Sequence, residues 1–84
     1  MTKIQIYTQS YCGFCVRAKT LLQQKGIAFE EINLDDKPEE LLELKTRTGF
    51  RTIPQIFVGG RFVGGFQELA ALESSGELQK LLTE

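Results

Sequence analysis

The most constraining stretch of this chain is its first third, where a strand pattern, a helix pattern and a second strand pattern follow one another without interruption. Lys3-Ile4-Gln5-Ile6-Tyr7-Thr8 alternates apolar with polar residues and is rich in β-branched and aromatic side chains. From Cys15 the period changes. Cys15, Ala18, Leu21 and Leu22 share one helical face, and Gly26 stands where a helix stop is wanted. Residues 27–34 carry Phe29, Ile32 and Leu34, enough for a short second strand. Two strands bridged by one helix predict a parallel pair with a right-handed crossover.

The remainder completes the sheet. Asp36-Lys37-Pro38-Glu39 reads as a helix start with Asp36 as N-cap and Glu39 in the capping-box position. Leu41, Leu42, Leu44 and Thr48 supply its apolar face, and Gly49 ends it. Gln55-Ile56-Phe57-Val58 is a third strand, Gly59-Gly60 a two-residue hairpin turn, and Arg61-Phe62-Val63 the returning fourth strand. Residues 68–82 form a last helix, with a break at Gly76 and Leu69, Leu72, Leu78, Leu81 and Leu82 inward. The fold class is therefore α/β: a four-stranded mixed sheet flanked by about three helices, one domain over residues 1–84. With 84 residues, 42% hydrophobic and 25% charged, the chain is an ordinary globular one with a thin stability margin.

Charge and residue counts remove whole classes of function. A net charge of −1 without a basic cluster argues against nucleic acid as a partner. No apolar run approaches the ~20 residues of a membrane span, and Met1-Thr2-Lys3-Ile4-Gln5 has no signal-peptide core, so a cytoplasmic protein is expected. There are two Cys and no His. That excludes a Cys–His or Ser–His catalytic pair and a two-His metal site, and two cysteines alone do not complete a structural zinc site. No metal is expected.

The cysteines are Cys12 and Cys15, spaced as Cys-x-x-Cys at the junction of the first strand and the first helix. A helix N-terminus offers unpaired N–H groups and the positive pole of the macrodipole, so a thiolate there is stabilised. Cys12, the outer residue, is the candidate nucleophile. Cys15, one turn in and among apolar neighbours, keeps its proton until it is needed as the resolving thiol. Gly13 eases the small adjustment that brings the two sulfurs to bonding distance. Such a pair attacks a substrate disulfide, forms a mixed disulfide and is released by the second thiol. The competing readings are a structural disulfide, whose very short loop gains only about 2 kcal/mol, and two cysteines buried by chance. A reducing compartment further disfavours the first, and position at the strand-to-helix junction disfavours the second.

Three further places matter. Thr52-Ile53-Pro54 is either a plain strand start or an exposed backbone edge beside the dithiol. Gly64-Gly65-Phe66 is either a simple turn or a set of backbone amides open to a carboxylate. Phe14, inside the motif loop, reads as a solvent-exposed platform.

Ile6-Tyr7-Thr8, Cys12 to Cys15, Arg17-Ala18-Lys19, Gly26, Thr52-Ile53-Pro54-Gln55-Ile56-Phe57 and Gly64-Gly65 together resemble the glutaredoxin family, in its small bacterial dithiol form, over essentially the whole chain. The resemblance implies a thioredoxin-like fold, strand order 2-1-3-4 and a cis peptide before Pro54. It implies glutathione as reductant and co-substrate, and a glutathione-dependent oxidoreductase acting on protein disulfides and glutathionylated proteins, as a monomer. The glutathione groove then maps onto Phe14, Arg51, Thr52, Ile53, Pro54, Gly65, Phe66 and Gln67.

The departures are chain-specific. Gly13-Phe14 stands where relatives have Pro-Tyr or Pro-Phe, Gln9 where many have Lys, and Gln67 where an Asp usually meets the glutathione amino group. Arg51 is the candidate cation in compensation. Two alternatives use the same fold: a hydrogen donor for ribonucleotide reductase served by thioredoxin reductase, and a [2Fe–2S] carrier, since Cys-Gly-Phe-Cys is one residue from the monothiol Cys-Gly-Phe-Ser.

Overall fold

The computed structural model describes residues 3–83. Its elements run β1 (Ile4–Thr8), α1 (Gly13–Gln24), β2 (Phe29–Asn33), α2 (Pro38–Thr48), β3 (Gln55–Val58), β4 (Arg61–Gly64), α3 (Phe66–Ser75) and α4 (Glu77–Thr83). The sheet order is β2-β1-β3-β4. β1 is parallel to β2 and antiparallel to β3, and β3 is antiparallel to β4. This is the expected mixed sheet.

Period-two alternation sorts the strands onto two cores. Ile4 and Ile6 of β1 and Ile56 and Val58 of β3 point to one face, where they meet Ala18 and Leu22 of α1, Leu69 of α3 and Leu78 of α4. On the other face Phe57 packs with Leu34 and Leu44, with Tyr7, Ile32 and Phe62 around them. β3 is buried along its whole length because helices cover both of its faces. Both φ values of Gly59 and Gly60 are positive, 60° and 81°, as a two-residue turn between right-twisted strands demands.

Three expectations are corrected. The N-cap of α2 is Lys37, not Asp36, and among the described residues no side chain caps that helix end. Pro38 fixes the first helical residue, since its locked φ and missing N–H suit that position, and it places the start one residue later. Leu42 faces solvent, while Leu44 is buried and Leu41 half-buried. The last helical segment begins at Phe66 rather than at residue 68; the expected break at Gly76 is present, its φ of 84° ending α3, so among the described residues four helices flank the sheet.

Candidate active site

Cys12 is the N-cap of α1. Its backbone is extended, with φ −109° and ψ 105°, and its Sγ accepts the backbone N–H of Cys15 at 3.1 Å. The sulfur thus takes the place of the usual capping oxygen and satisfies one of the helix's unpaired donors. As a thiol it also lies 3.7 Å from the carbonyl oxygen of Ile53, to which it can donate. Loss of the proton removes that donation and leaves the Cys15 N–H bond in place.

Cys15 is 1% exposed. Burial, reinforced by the hydrogen bond with Cys12, pushes its thiol up to about 12, against an opposing pull from the backbone of Gln9. Cys15 is therefore a protonated thiol at neutral pH. Both cysteines are free. The two halves of the pair thus have the opposed environments their spacing led us to expect.

The loop before Cys12 is pinned by the connection that follows β2. Ser10 donates its backbone N–H to Asp35 at 2.8 Å, and its hydroxyl donates to the other oxygen of the same carboxylate. These bonds hold the Asp35 carboxyl below its ordinary range. Between this anchor and Cys12 stands Tyr11, at φ 59° and fully exposed, a left-handed conformation that a non-glycine residue adopts only under constraint.

Beside the dithiol lies an open cavity of about 250 Å³, lined by Phe14, Thr52, Ile53, Pro54, Gly65, Phe66 and Gln67, together with Phe50 and Glu68. Seven of the expected groove residues thus come together. The peptide bond between Ile53 and Pro54 is cis. Phe14 is half exposed, as its place in the motif loop suggested. Arg51 is exposed and does not line the cavity.

Phe50 and Glu68 were missed. Phe50 enters through a buried amide: Gln55 Nε2 donates to the Phe50 carbonyl at 2.6 Å, and Thr48 Oγ1 accepts the Phe50 N–H at 3.2 Å. Nothing local in sequence announces that clasp. The ring then fills the space that a side chain at Gly65 would occupy, since a Cβ there would stand 3.2 Å from Phe50 Cε2. Glu68 had a legible signal, the capping-box spacing from Gly65. Its Oε1 accepts the Gly65 N–H at 2.8 Å, so that amide is not open. The N–H groups of the first helical turn after it have no intrahelical partner.

Chemically, then, the site pairs an exposed-edge sulfur at a helix N-terminus with a shielded second thiol and an adjacent, largely apolar groove. The glutaredoxin family model matches residues 4–63. This chain belongs to the glutaredoxin family. Its relatives include the Pseudomonas aeruginosa glutaredoxin, 48% identical over 83 residues and 99% of either chain, and Escherichia coli glutaredoxin 3, 40% identical over 82 residues, 98% of this chain and 99% of the relative. Among solved structures, the Brucella melitensis glutaredoxin matches with a TM-score of 0.87 at 46% identity, covering 98% of this chain and 89% of the other. A buckwheat glutaredoxin–glutathione complex matches with a TM-score of 0.89 at 31% identity, over 98% of this chain and 77% of that one. Family membership makes this glutaredoxin a thiol–disulfide oxidoreductase on a thioredoxin-like fold. Among the described residues no helix is long and apolar enough to cross a membrane.

Proposed function

We propose that the chain is a glutathione-dependent reductase of protein disulfides and glutathione mixed disulfides, with Cys12 as nucleophile and Cys15 as resolving thiol. The observation that carries this reading is the cap geometry. Cys12 Sγ is the acceptor of the Cys15 N–H and lies 3.7 Å from the carbonyl oxygen of Ile53, a groove residue, whereas Cys15 is buried and protonated. Glutathione is favoured as the ligand by the groove's mixture of apolar walls and unpaired α3 amides, and by the buckwheat relative, whose structure is a glutathione complex. Phe14, Thr52, Ile53, Pro54, Gly65, Phe66 and Gln67 hold the tripeptide. Arg51 acts only at long range.

The steps balance as two-electron exchanges. The Cys12 thiolate attacks the glutathionyl sulfur of a protein mixed disulfide. The S–S bond between the glutathionyl sulfur and the protein's cysteine sulfur breaks, the protein thiolate leaves and takes a proton, and Cys12 carries the glutathionyl group. A second glutathione thiolate attacks that group, regenerating the Cys12 thiolate and giving glutathione disulfide. With a protein disulfide, the Cys12 thiolate first attacks one substrate sulfur and releases the other as a thiolate that takes a proton; Cys15 then attacks the sulfur of Cys12 and releases the second substrate thiolate. The Cys15 proton passes to this leaving thiolate, and two glutathiones then reduce the Cys12–Cys15 disulfide. The backbone N–H of Cys15 holds the Cys12 sulfur whenever it leaves as thiolate. A compartment that keeps thiols reduced, the cytoplasm, suits this cycle.

The test is reductant choice. The oxidised protein is offered glutathione with glutathione reductase in one arm, and thioredoxin reductase with NADPH in the other. Turnover in the first arm is expected. Turnover in the second alone would replace glutathione as the electron source.

A further inference from the structure

Arg17 lies outside the groove but touches its wall. Its guanidinium carbon stands 4.7 Å from the centroid of Phe66 and 5.4 Å from that of Phe14, and the two rings are 6.1 Å apart. Both rings line the groove beside Cys12. Stacking on aromatic faces occupies the flat sides of a guanidinium and leaves its in-plane N–H donors free. Among the described residues Arg17 makes no ion pair, whereas Lys19, Lys25, Arg47 and Lys80 each meet a glutamate. The result is a guanidinium held by two rings with no carboxylate partner among the described residues.

Beside that guanidinium lies a second, shallower cleft of about 280 Å³ between α1 and α3, lined by Arg17, Thr20, Leu21, Gln24 and Phe66. Phe66 is common to both cavities, so a chain that fills the groove and continues past this ring arrives at Arg17. The cleft floor is apolar, from Leu21 and Phe66. Its polar groups are one cation, one hydroxyl and one amide, with no carboxylate among the lining residues. Charge complementarity therefore favours an acidic group, and the stacking rings reduce the entropy lost when it binds.

We propose that this cleft receives the polypeptide flanking the substrate's half-cystine, and that Arg17 binds an acidic side chain on it. The inference rests on the dithiol reading above and adds a substrate preference to it. Arg17 is thus a specificity residue for the protein half of the mixed disulfide, beyond the groove that takes the glutathionyl half.

Three glutathionylated peptides, identical except for Asp, Asn or Lys two residues from the cysteine, test it. Wild type should reduce the Asp peptide about fivefold faster in kcat/KM than the Lys peptide at low salt, the scale of one exposed ion pair, and the ratio should shrink in high salt. Arg17→Gln should bring the ratio close to one, with the Asn peptide correcting for any change in the groove wall. Arg51→Gln should preserve the ratio. Equal turnover of all three peptides by wild type, a ratio that survives Arg17→Gln, or one lost only in Arg51→Gln overturns the proposal. Failure of wild type on all three peptides would overturn the proposed reduction of glutathione mixed disulfides as well.

Discussion

Gly65→Ala adds one methyl group between the Phe50 ring and the start of β3. The new Cβ would lie 3.2 and 3.3 Å from Phe50 Cε2 and Cζ, and 3.3 Å from the Pro54 carbonyl oxygen. The carbonyl is backbone at the head of a buried strand, so the ring must give way. Phe50 is tied at both its N–H and its carbonyl and packs edge-on against Phe62 at 5.4 Å, which limits the movement to the ring itself. Backbone strain does not enter, because Gly65 has φ −100°, open to alanine. Overpacking of this kind costs about 1 kcal/mol at the mild end, and the stiffer unfolded chain returns about half of that. Global stability should therefore fall by less than about 1 kcal/mol in a urea titration.

Binding should suffer more, since the displaced ring is part of the groove wall. A penalty of about 1 kcal/mol corresponds to about a fivefold rise in the glutathione Kd, read by calorimetric titration or as KM. Gly64→Ala is the contrasting perturbation. It combines φ 124° with a Cβ only 2.6 Å from Glu68 Cγ, so it should cost several times more stability and loosen the Glu68 cap. Equal stability losses for the two variants, or an unchanged glutathione affinity in Gly65→Ala, would refute this account of the groove.

Three other outcomes are expected. Because the folded Cys15 thiol titrates near 12, above its unfolded value of 9.0, its contribution to stability is intact below pH 9 and is lost as pH rises toward 12. The loss, on the order of 1 kcal/mol per pH unit at most, should be absent in Cys15→Ser when urea midpoints are compared across that range. Gln55→Leu removes the amide that clasps Phe50 and leaves a carbonyl unpaired, so stability should drop by about 1–3 kcal/mol and the glutathione KM should rise. Gln9→Lys places a cation on the residue whose backbone meets Cys15, and should lower the glutathione KM by about two- to fivefold through carboxylate attraction; an unchanged KM would show that no ligand carboxylate lies near position 9.

Much of this was legible because local signals agree with one another. The β1–α1–β2 unit follows from a change of period at Cys15, and the hairpin from Gly59-Gly60. The dithiol could be read from spacing and position alone, since a cap residue and the residue one turn inward must differ in exposure. Where the reading went astray, two local rules competed. Asp36 and Glu39 have capping spacing, but Pro38 sets the helix start, and that outcome depends on the approach of the preceding loop. Leu41 and Leu42 lie about 100° apart on a helix, so only one of them can face the core well. Which one is decided by how α2 meets Phe57. The groove's second wall was illegible for a different reason. Phe50 is placed by a hydrogen bond from Gln55, and Arg17 is held partly by Phe66, 49 positions away in sequence. Contacts of that kind leave no periodic trace.

Reduction of a glutathione mixed disulfide by single-cysteine variants tests the central assignment most directly. Cys12→Ser should have no turnover, because in the proposed mechanism the capping sulfur is the attacking atom. Cys15→Ser should still reduce the glutathione mixed disulfide while losing most of its activity on a protein disulfide. Equal inactivity of the two variants in the glutathione assay would contradict the division of labour between an outer nucleophile and a buried resolving thiol.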